Sequence, residues 1–491
     1  MLDQDEIRTL FQDMWVLHQT ERVWLDRIYG YAQGVLGLPD LPDGAPPEIE
    51  DLARLSIKNV LGLVRDSFTQ NLSVIGYRTA LAQENGPAWE IWQRNRMDMR
   101  QAEVYRPAVT YGAGYVVVTD DLANPGAGQS VWRCKSPRQM LAVYEDPALD
   151  LWPTYGMEMW IDQSEAKARW VGRFYDDEYV YPLRLGTRVP VLPVDQYATS
   201  IMRVATIQEF GAPIPHGGGG NCPIVRFVNA RDPDEMIIGE MDQLIRDQQA
   251  INCVNFDRLL VSRFGAFPQK VITGWSAAPG QILEASAKRV WAFDDDNVKV
   301  DAFPPADLAQ YTGVLQEMTE AIALKAQISP SQISGKMVNM SAEALAAAEA
   351  NQQRKLAAKR DSFGESWEQV FRLAAEIEGD MVSAADTSSE VVWRDTEARA
   401  FGAIVDGITK LAAAGIPIEE LIDMVPGVSQ QQVEAIKSSI RMGQVNELIN
   451  ALQQQTAAAP AGPLPGAPPG PSPSPANMPA TSAMRNGIVT R

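Results

Sequence analysis

Residues 341–378 set the scale of anything this chain can fold into. The stretch "SAEALAAAEANQQRKLAAKRDSFGESWEQVFRLAAEIE" contains no proline and is rich in strong helix formers. At ~1.5 Å per residue, a helix of that length spans roughly 55 Å, longer than most helices of globular domains. Ser341 is placed to cap it, and Glu343 in its first turn suits the helix dipole. Its second half carries an apolar stripe: Leu356, Phe363, Trp367, Val370, Phe371, Ala374 and Ile377. Its first half is nearly all Ala and polar residues. Gly364 sits at the change of character and marks an expected kink. A Ser- and Asn-rich segment, "SPSQISGKMVNM" (329–340), stands directly before it and reads as a loop between two long helices.

The rest of the chain has to surround that helix. With 491 residues, two to four folding units are expected. Residues 1–38 read as helix, with Ile7, Leu10, Phe11, Met14, Leu17 and Trp24 at three- and four-residue spacing. Helical pattern resumes over 49–72 and 86–106, where the aromatics read as core. From Tyr111 the character changes. "GAGYVVVTDD", "MLAVYEDP", "YGMEMWID", "WVGRFYDDEYVYPLRL" and "CPIVRFVNARDP" read as strands of antiparallel sheet. "HGGGGN" (216–221) reads as a turn between strands. Helix is expected again over 234–263, with Ile237, Met241, Leu244, Ile251, Val254 and Leu259 on one side. A further helix starts near Asp307, with Leu308, Tyr311, Leu315, Met318 and Ile322 on one face and Pro330 as its stop. Residues 395–452 read as a last helical unit. The segment beyond it, with nine prolines between 460 and 479, reads as disordered or extended. The fold class is α+β.

Charge and residue inventory exclude several functions. The net charge of −19 opposes conventional DNA binding, which needs a basic face, but suits a surface that DNA must pass without adhering. Two histidines, His18 and His216, are too few for a histidine-based catalytic or zinc centre. Three separated cysteines argue for a reducing compartment. No secretory leader pattern or membrane-length apolar run is present. "SGKM" (334–337) resembles part of a phosphate-binding loop. Pro330 stands where its first glycine belongs, and Met337 stands where Ser or Thr should hold magnesium. "FDDDN" (293–297) with Asp301 offers carboxylates of a kind that suit magnesium. Consecutive aspartates project alternately, however, so a solvated acidic loop is the simpler reading. No catalytic constellation, metal site or cofactor site emerges, and the chain reads as a non-enzyme.

The order of parts carries a resemblance. "PIVRFVNARDPDEM", a helix, a short α/β insertion, "FPPADLAQYTGVL", a loop, and "NMSAEALAAAEANQQRKLAAKRDSFGESWEQVFRLA" together resemble the portal proteins of tailed bacteriophages. "VPGVSQQQVEAIK" is similar to that family's C-terminal helical part. The resemblance covers about 200–440 well and is weaker over 1–200.

It implies a mainly helical portal fold with wing, stem, clip and crown regions. The wing would be 1–233, the first stem helix 234–263, the clip 264–305 and the second stem helix 306–328. The tunnel loop would be 329–340, and the long kinked helix with its return to the wing 341–394. The crown would be 395–455 and the disordered tail 456–491. Twelve copies would form a ring with a central channel at one capsid vertex of the virion, assembled in the host cytoplasm. The ring would conduct double-stranded DNA during packaging and ejection without reading its sequence. Its partners would be the major capsid protein, the terminase large subunit, the head–tail adaptor and a scaffold protein. Lys325, Ser334, Lys336 and Asn339 would face the DNA channel, and Asp294, Asp295, Asp296 and Asp301 would dock partners. The structural alternative is another symmetric head–tail protein. The enzymatic alternative is a magnesium-dependent nuclease or NTPase built on the acids of 294–301.

Overall fold

The computed structural model of the chain describes residues 1–79, 86–147, 151–162, 169–188, 206–231, 237–265, 270–273, 299–302, 307–335, 342–394, 396, 401–417, 421 and 436–442. It divides into two units, Met1–Val433 and Glu434–Arg491. The described part of the second, 436–442, is helical.

The first unit opens with α1 (Gln4–Ala32), α2 (Pro47–Leu55), α3 (Leu61–Thr69), β1 (Val74–Arg78), α4 (Pro87–Arg94), α5 (Met97–Arg100) and α6 (Ala102–Tyr111). Strands follow: β2 (Ala113–Asp120), β3 (Ser130–Lys135), β4 (Met140–Val143), β5 (Tyr155–Asp162), β6 (Arg169–Tyr175), β7 (Tyr179–Arg188), β8 (Ile207–Phe210), β9 (Ile214–Pro215) and β10 (Ile224–Val228). Then come α7 (Ile245–Gly265), β11 (Lys270–Thr273), β12 (Lys299–Ala302), α8 (Leu308–Ala326), α9 (Pro330–Ser334), α10 (Ala342–Ile377), α11 (Met381–Ala384), β13 (Glu390–Trp393) and α12 (Phe401–Ala413). The class is α+β, with helices flanking antiparallel sheets.

The sheets are ordered β10-β2-β3, β4-β5-β6-β7-β8 with β9 also on β7, β1-β13, and β11-β12. Every pairing is antiparallel. The first two sheets pack face to face through Tyr115, Val117, Met140, Tyr175, Val180 and Ile224. The other side of the six-stranded sheet buries Met157, Met159, Phe174 and Leu183 against Ile7, Phe11, Met14 and Trp15 of α1. The start of α1 is fixed by a capping box: Asp3 accepts from the Asp5 and Glu6 amides, and Glu6 accepts from the Asp3 amide.

α10 runs without interruption through Gly364. A side chain added at Gly364 would touch Val391 and Trp393 of β13 at ordinary contact distance. The apolar stripe of α10 enters an aromatic cluster. The indole nitrogen of Trp367 donates to the Tyr105 hydroxyl (2.8 Å). Its ring lies edge-on to Trp92 (5.0 Å) and Phe227 (4.8 Å), and Phe371 stacks on Tyr77 (4.0 Å). These rings come from α4, α6, β1 and β10, so α10 joins the helical layer to the three-stranded sheet and to β1 in one core.

Several boundaries differ from the sequence reading, each for a local reason. The first helix ends at Ala32, where Gly34 takes a left-handed turn (φ 71°). The pattern over 49–72 is two helices, α2 and α3, and that over 86–106 is three, with Arg96 left-handed (φ 55°) at a break. Helix over 234–263 is shortened at its start. Ile237 bridges to Arg231, a 3-10 turn spans Asp242–Leu244, and α7 begins at Ile245. Gly239 explains this, because the backbone there lies against Thr110–Gly112, and a Cβ would meet the Thr110 carbonyl at 2.6 Å. Pro330 does not end α8. Gln327 in left-handed conformation (φ 60°) ends it, and Pro330 instead opens α9 inside the segment read as a loop. The glycine turn 216–221 lies between β9 and β10 and faces the end of α10, where a Cβ on Gly219 would overlap Glu376.

Both histidines are structural. His18 is fully buried, its Nε2 bonded to the Pro137 carbonyl (3.0 Å), and burial pushes its pKa down to about 4. Below pH 6.5 the unfolded chain binds a proton that the folded chain refuses, so stability falls as pH drops towards 4. Between pH 7.5 and pH 5 this group should remove about 2 kcal/mol of stability. Urea unfolding of wild type and His18→Gln at both pH values checks it: the variant should lose less stability on acidification than wild type.

Candidate functional site

α7 packs on α8, α8 on α9, and α9 reaches α10 through Gln332. α8 buries one face and exposes apolar side chains away from it. Leu315, Thr319, Ile322, Ala323 and Ala326 are buried, while Val314 and Leu324 remain exposed, Leu324 by 77%. The last turn of α8 joins the first turn of α7 through Lys325, whose ammonium donates to both oxygens of Asp247 (2.8 and 2.7 Å).

The inward side of α7 is held by amides. Gln248 accepts from the Val60 amide (2.9 Å) and donates to the Lys58 carbonyl. Asn252 accepts from the Lys58 amide (3.1 Å) and donates to the Gly37 carbonyl (3.0 Å). Asn255 donates to the Ser56 carbonyl (2.7 Å). These are the free backbone groups of the breaks on either side of α2, so α7 satisfies what those loops leave open.

α9 is tied in by a similar relay. The Gln332 side chain donates to Gln352 of α10 (3.0 Å), which donates to the Ser67 carbonyl (3.2 Å) of α3. A cleft of about 310 Å³ lies between α3 and α9, bordered by Leu63, Asp66, Gln70, Ile328, Gln332 and Ile333. Gly335, left-handed at φ 66°, follows α9.

Beneath this lies an ion cluster. Glu240, just before α7, accepts from Lys355 (2.5 Å) and Lys359 (2.6 Å) of α10 and from Asn229 (3.2 Å). Lys359 also donates to the Asn229 oxygen, and only 3% of its side chain is exposed. Both ammonium groups lie 5.2 Å from the centre of the Phe68 ring. Burial alone would raise the Glu240 pKa, but the two lysines outweigh it and hold the carboxyl below its usual range. Burial lowers that of Lys359, and Glu240 opposes the shift. The sequence signal for the cluster was a lysine inside an apolar stripe: Lys359 falls between Leu356 and Phe363, where a buried partner is required.

The residues singled out from sequence are not gathered into one site. Lys325 is exposed and paired with Asp247. Ser334 is the last residue of α9, and Lys336 and Asn339 lie outside the described residues. Asp301 lies in β12, paired in register with Val271 of β11, while Asp294, Asp295 and Asp296 lie outside the described residues, as do Ser341 and most of 264–305. Among the described residues no group of carboxylate, histidine or cysteine side chains could hold a metal ion.

The Glu240 cluster makes a direct prediction. Glu240→Ala leaves two lysines beside each other without their anion and should cost about 3–5 kcal/mol. Lys355→Met leaves the Glu240–Lys359 pair intact and should cost clearly less. Urea denaturation of the purified variants measures both.

Comparison with known proteins follows the same order of parts. The family model described as "Phage portal protein, SPP1 Gp6-like" matches residues 75–445. The portal protein of Mycobacterium phage L5 is 27% identical over 440 residues, covering 82% of this chain and 83% of that one. The portal protein of Mycobacterium phage D29 is 26% identical over 375 residues, covering 71% of each. Among solved structures, a chain of "Neck of native GTA particle computed with C12 symmetry" aligns with a TM-score of 0.45 at 12% identity, over 78% of this chain and 95% of that one. A chain of "Virion of native gene transfer agent (GTA) particle" aligns with a TM-score of 0.44 at 13% identity, over 79% and 96%. With three quarters of its length matched by that family model, the chain belongs to the SPP1 Gp6-like family of phage portal proteins.

Proposed function

We propose that twelve copies of this chain form a ring at one vertex of a phage capsid, with a central channel that conducts double-stranded DNA during packaging and ejection. The ring docks the terminase large subunit first and the head–tail adaptor later, and it meets the major capsid protein and a scaffold protein during assembly in the host cytoplasm. The protein performs no chemistry of its own in this reading. The single observation that carries it is the family match over 75–445.

Physical features of the chain support the reading. Val314 and Leu324 of α8 are exposed, outside the face that one chain covers. A neighbouring copy in a ring would cover them. The net charge of −19 suits a wall along which DNA slides without sticking. In the portal scheme α7 and α8 serve as stem, 264–305 as clip, α9 and 335–340 as tunnel loop, α10 as the long helix behind it, and 395–455 as crown. Lys325 enters this scheme already paired with Asp247, so the cation offered to DNA at the constriction is Lys336, repeated around the ring. Asp294, Asp295, Asp296 and Asp301 form the acidic face offered to the motor and the adaptor.

Electron microscopy of the purified protein tests the ring. Class averages should show twelve-fold or near twelve-fold particles with a central hole, and closed particles without a channel at every concentration would overturn the conduit. Lys336→Glu should assemble normally but reduce the DNA packaged and retained per head. Unchanged retention would remove Lys336 from the channel. Replacing Asp294, Asp295 and Asp296 with Asn should weaken co-sedimentation with terminase or adaptor, and unchanged docking would reject that face.

A further inference from the structure

Where β3 of one sheet meets β5 and β6 of the other lies a group of charges that no part of the portal scheme uses. Glu158 of β5 is completely buried. It accepts from Arg173 of β6 (2.6 Å) and from the Tyr175 hydroxyl (2.8 Å), and it pairs with Lys135 of β3 (3.0 Å). Burial alone would raise its pKa, but Lys135 and Arg173 outweigh that and hold it ionised below the usual range. The same two cations flank Trp160, at 5.4 Å for Lys135 and 4.6 Å for Arg173. A third cation completes the group. Arg133 of β3 is half-buried beside it, and its guanidinium donates to the Thr119 hydroxyl of β2 (3.1 Å).

Three cations therefore face one buried carboxylate. Asp121 is the other acid in range of Arg133, but it is exposed and engaged by Asn124 (2.9 Å) and the Ala123 amide (3.0 Å). The remaining donors of Arg133 have no protein partner among the described residues. Burial and the nearby Arg173 oppose its charge, Tyr175, Glu158 and Asp121 favour it, and burial outweighs them. Four strands of two sheets fix these side chains, so the donors are preorganised. A guanidinium offers a planar fork of donors that matches the oxygens of a phosphate, and a second cation at hand strengthens such a contact.

We propose that the cationic group formed by Arg133, Lys135, Arg173 and Thr119 where the two sheets meet is a binding site for a phosphate group. Arg133 supplies the forked contact, Lys135 and Arg173 supply charge while remaining bound to Glu158, and Thr119 positions Arg133. The site stands apart from the stem and the loop before α10, and it does not depend on the ring.

Thermal unfolding of the full-length protein tests this, in sodium phosphate against sodium chloride at equal pH and ionic strength. Phosphate should raise the wild-type Tm by about 3 °C at saturating concentration. Arg133→Met should lose that shift while its Tm in chloride stays level or rises, because an uncompensated charge has been removed. Arg133→Lys should keep a reduced shift. A parallel arm uses a short DNA duplex at micromolar concentration. A shift with duplex and none with inorganic phosphate assigns the site to backbone phosphates, and the reverse assigns it to free phosphate. Phosphorus NMR line broadening by the wild-type protein gives a readout that needs no variant to fold. Equal Tm in phosphate, duplex and chloride, or an undiminished shift in Arg133→Met, overturns the proposal. So does a shift produced only by a glutamate-rich peptide.

Discussion

α10 fixes the largest core of the first unit. Its apolar stripe puts Trp367 and Phe371 among rings from α4, α6, β1 and β10, and a helix cannot slide along such a cluster without breaking all the ring contacts together. Lys359 and Lys355 on the same helix must also meet Glu240. Burying these charges costs several kcal/mol per ion, and their mutual attraction repays that only in good geometry. The cluster therefore acts as a register device. It permits one axial position of α10 against the segment leading into α7, and through α7 it sets the position of α8.

Electrostatics follow a consistent division. The chain carries a large excess of acid, and many of its cations are engaged inside it. Lys325 holds Asp247, Lys355 and Lys359 hold Glu240, Arg22 and Arg138 hold Asp26, and Lys135 and Arg173 hold Glu158. Cations paired in this way join separate elements and leave the outer surface more acidic than composition alone suggests. Arg133 differs from these, because its guanidinium donates to the Thr119 hydroxyl and forms no ion pair among the described residues.

Legibility in the sequence tracked the range of the interactions involved. Periodic apolar spacing exposed α1, α8 and the second half of α10, since a helix writes its buried face at intervals of three and four residues. Strands β2, β4, β5, β6, β7 and β10 were legible through β-branched and aromatic runs between turn residues, while β3, β8 and β9 were not. β1 and β13 were not, because each is short and paired with a strand more than 300 residues away. The amide face of α7 was missed for another reason. Gln248, Asn252 and Asn255 look like solvent-facing residues until the loops whose backbone they satisfy are placed beside them. At the candidate site, the lysine within the α10 stripe was a readable anomaly, but its partner Glu240 was not, since nothing local to residue 240 announces burial.

Sequence alone determined the length and one-sided character of the long helix, the α+β class, and an order of parts similar to phage portals. Those properties depend on residue type and local spacing, which the chain carries explicitly. Tertiary structure alone decided that Lys325 is occupied by Asp247, that Pro330 begins a helix, that Gly239 must lie flat against Thr110, and that Arg133 meets the Thr119 hydroxyl. Each depends on which distant backbone or charge arrives within a few ångströms, and that is fixed only when the core around Trp367 closes.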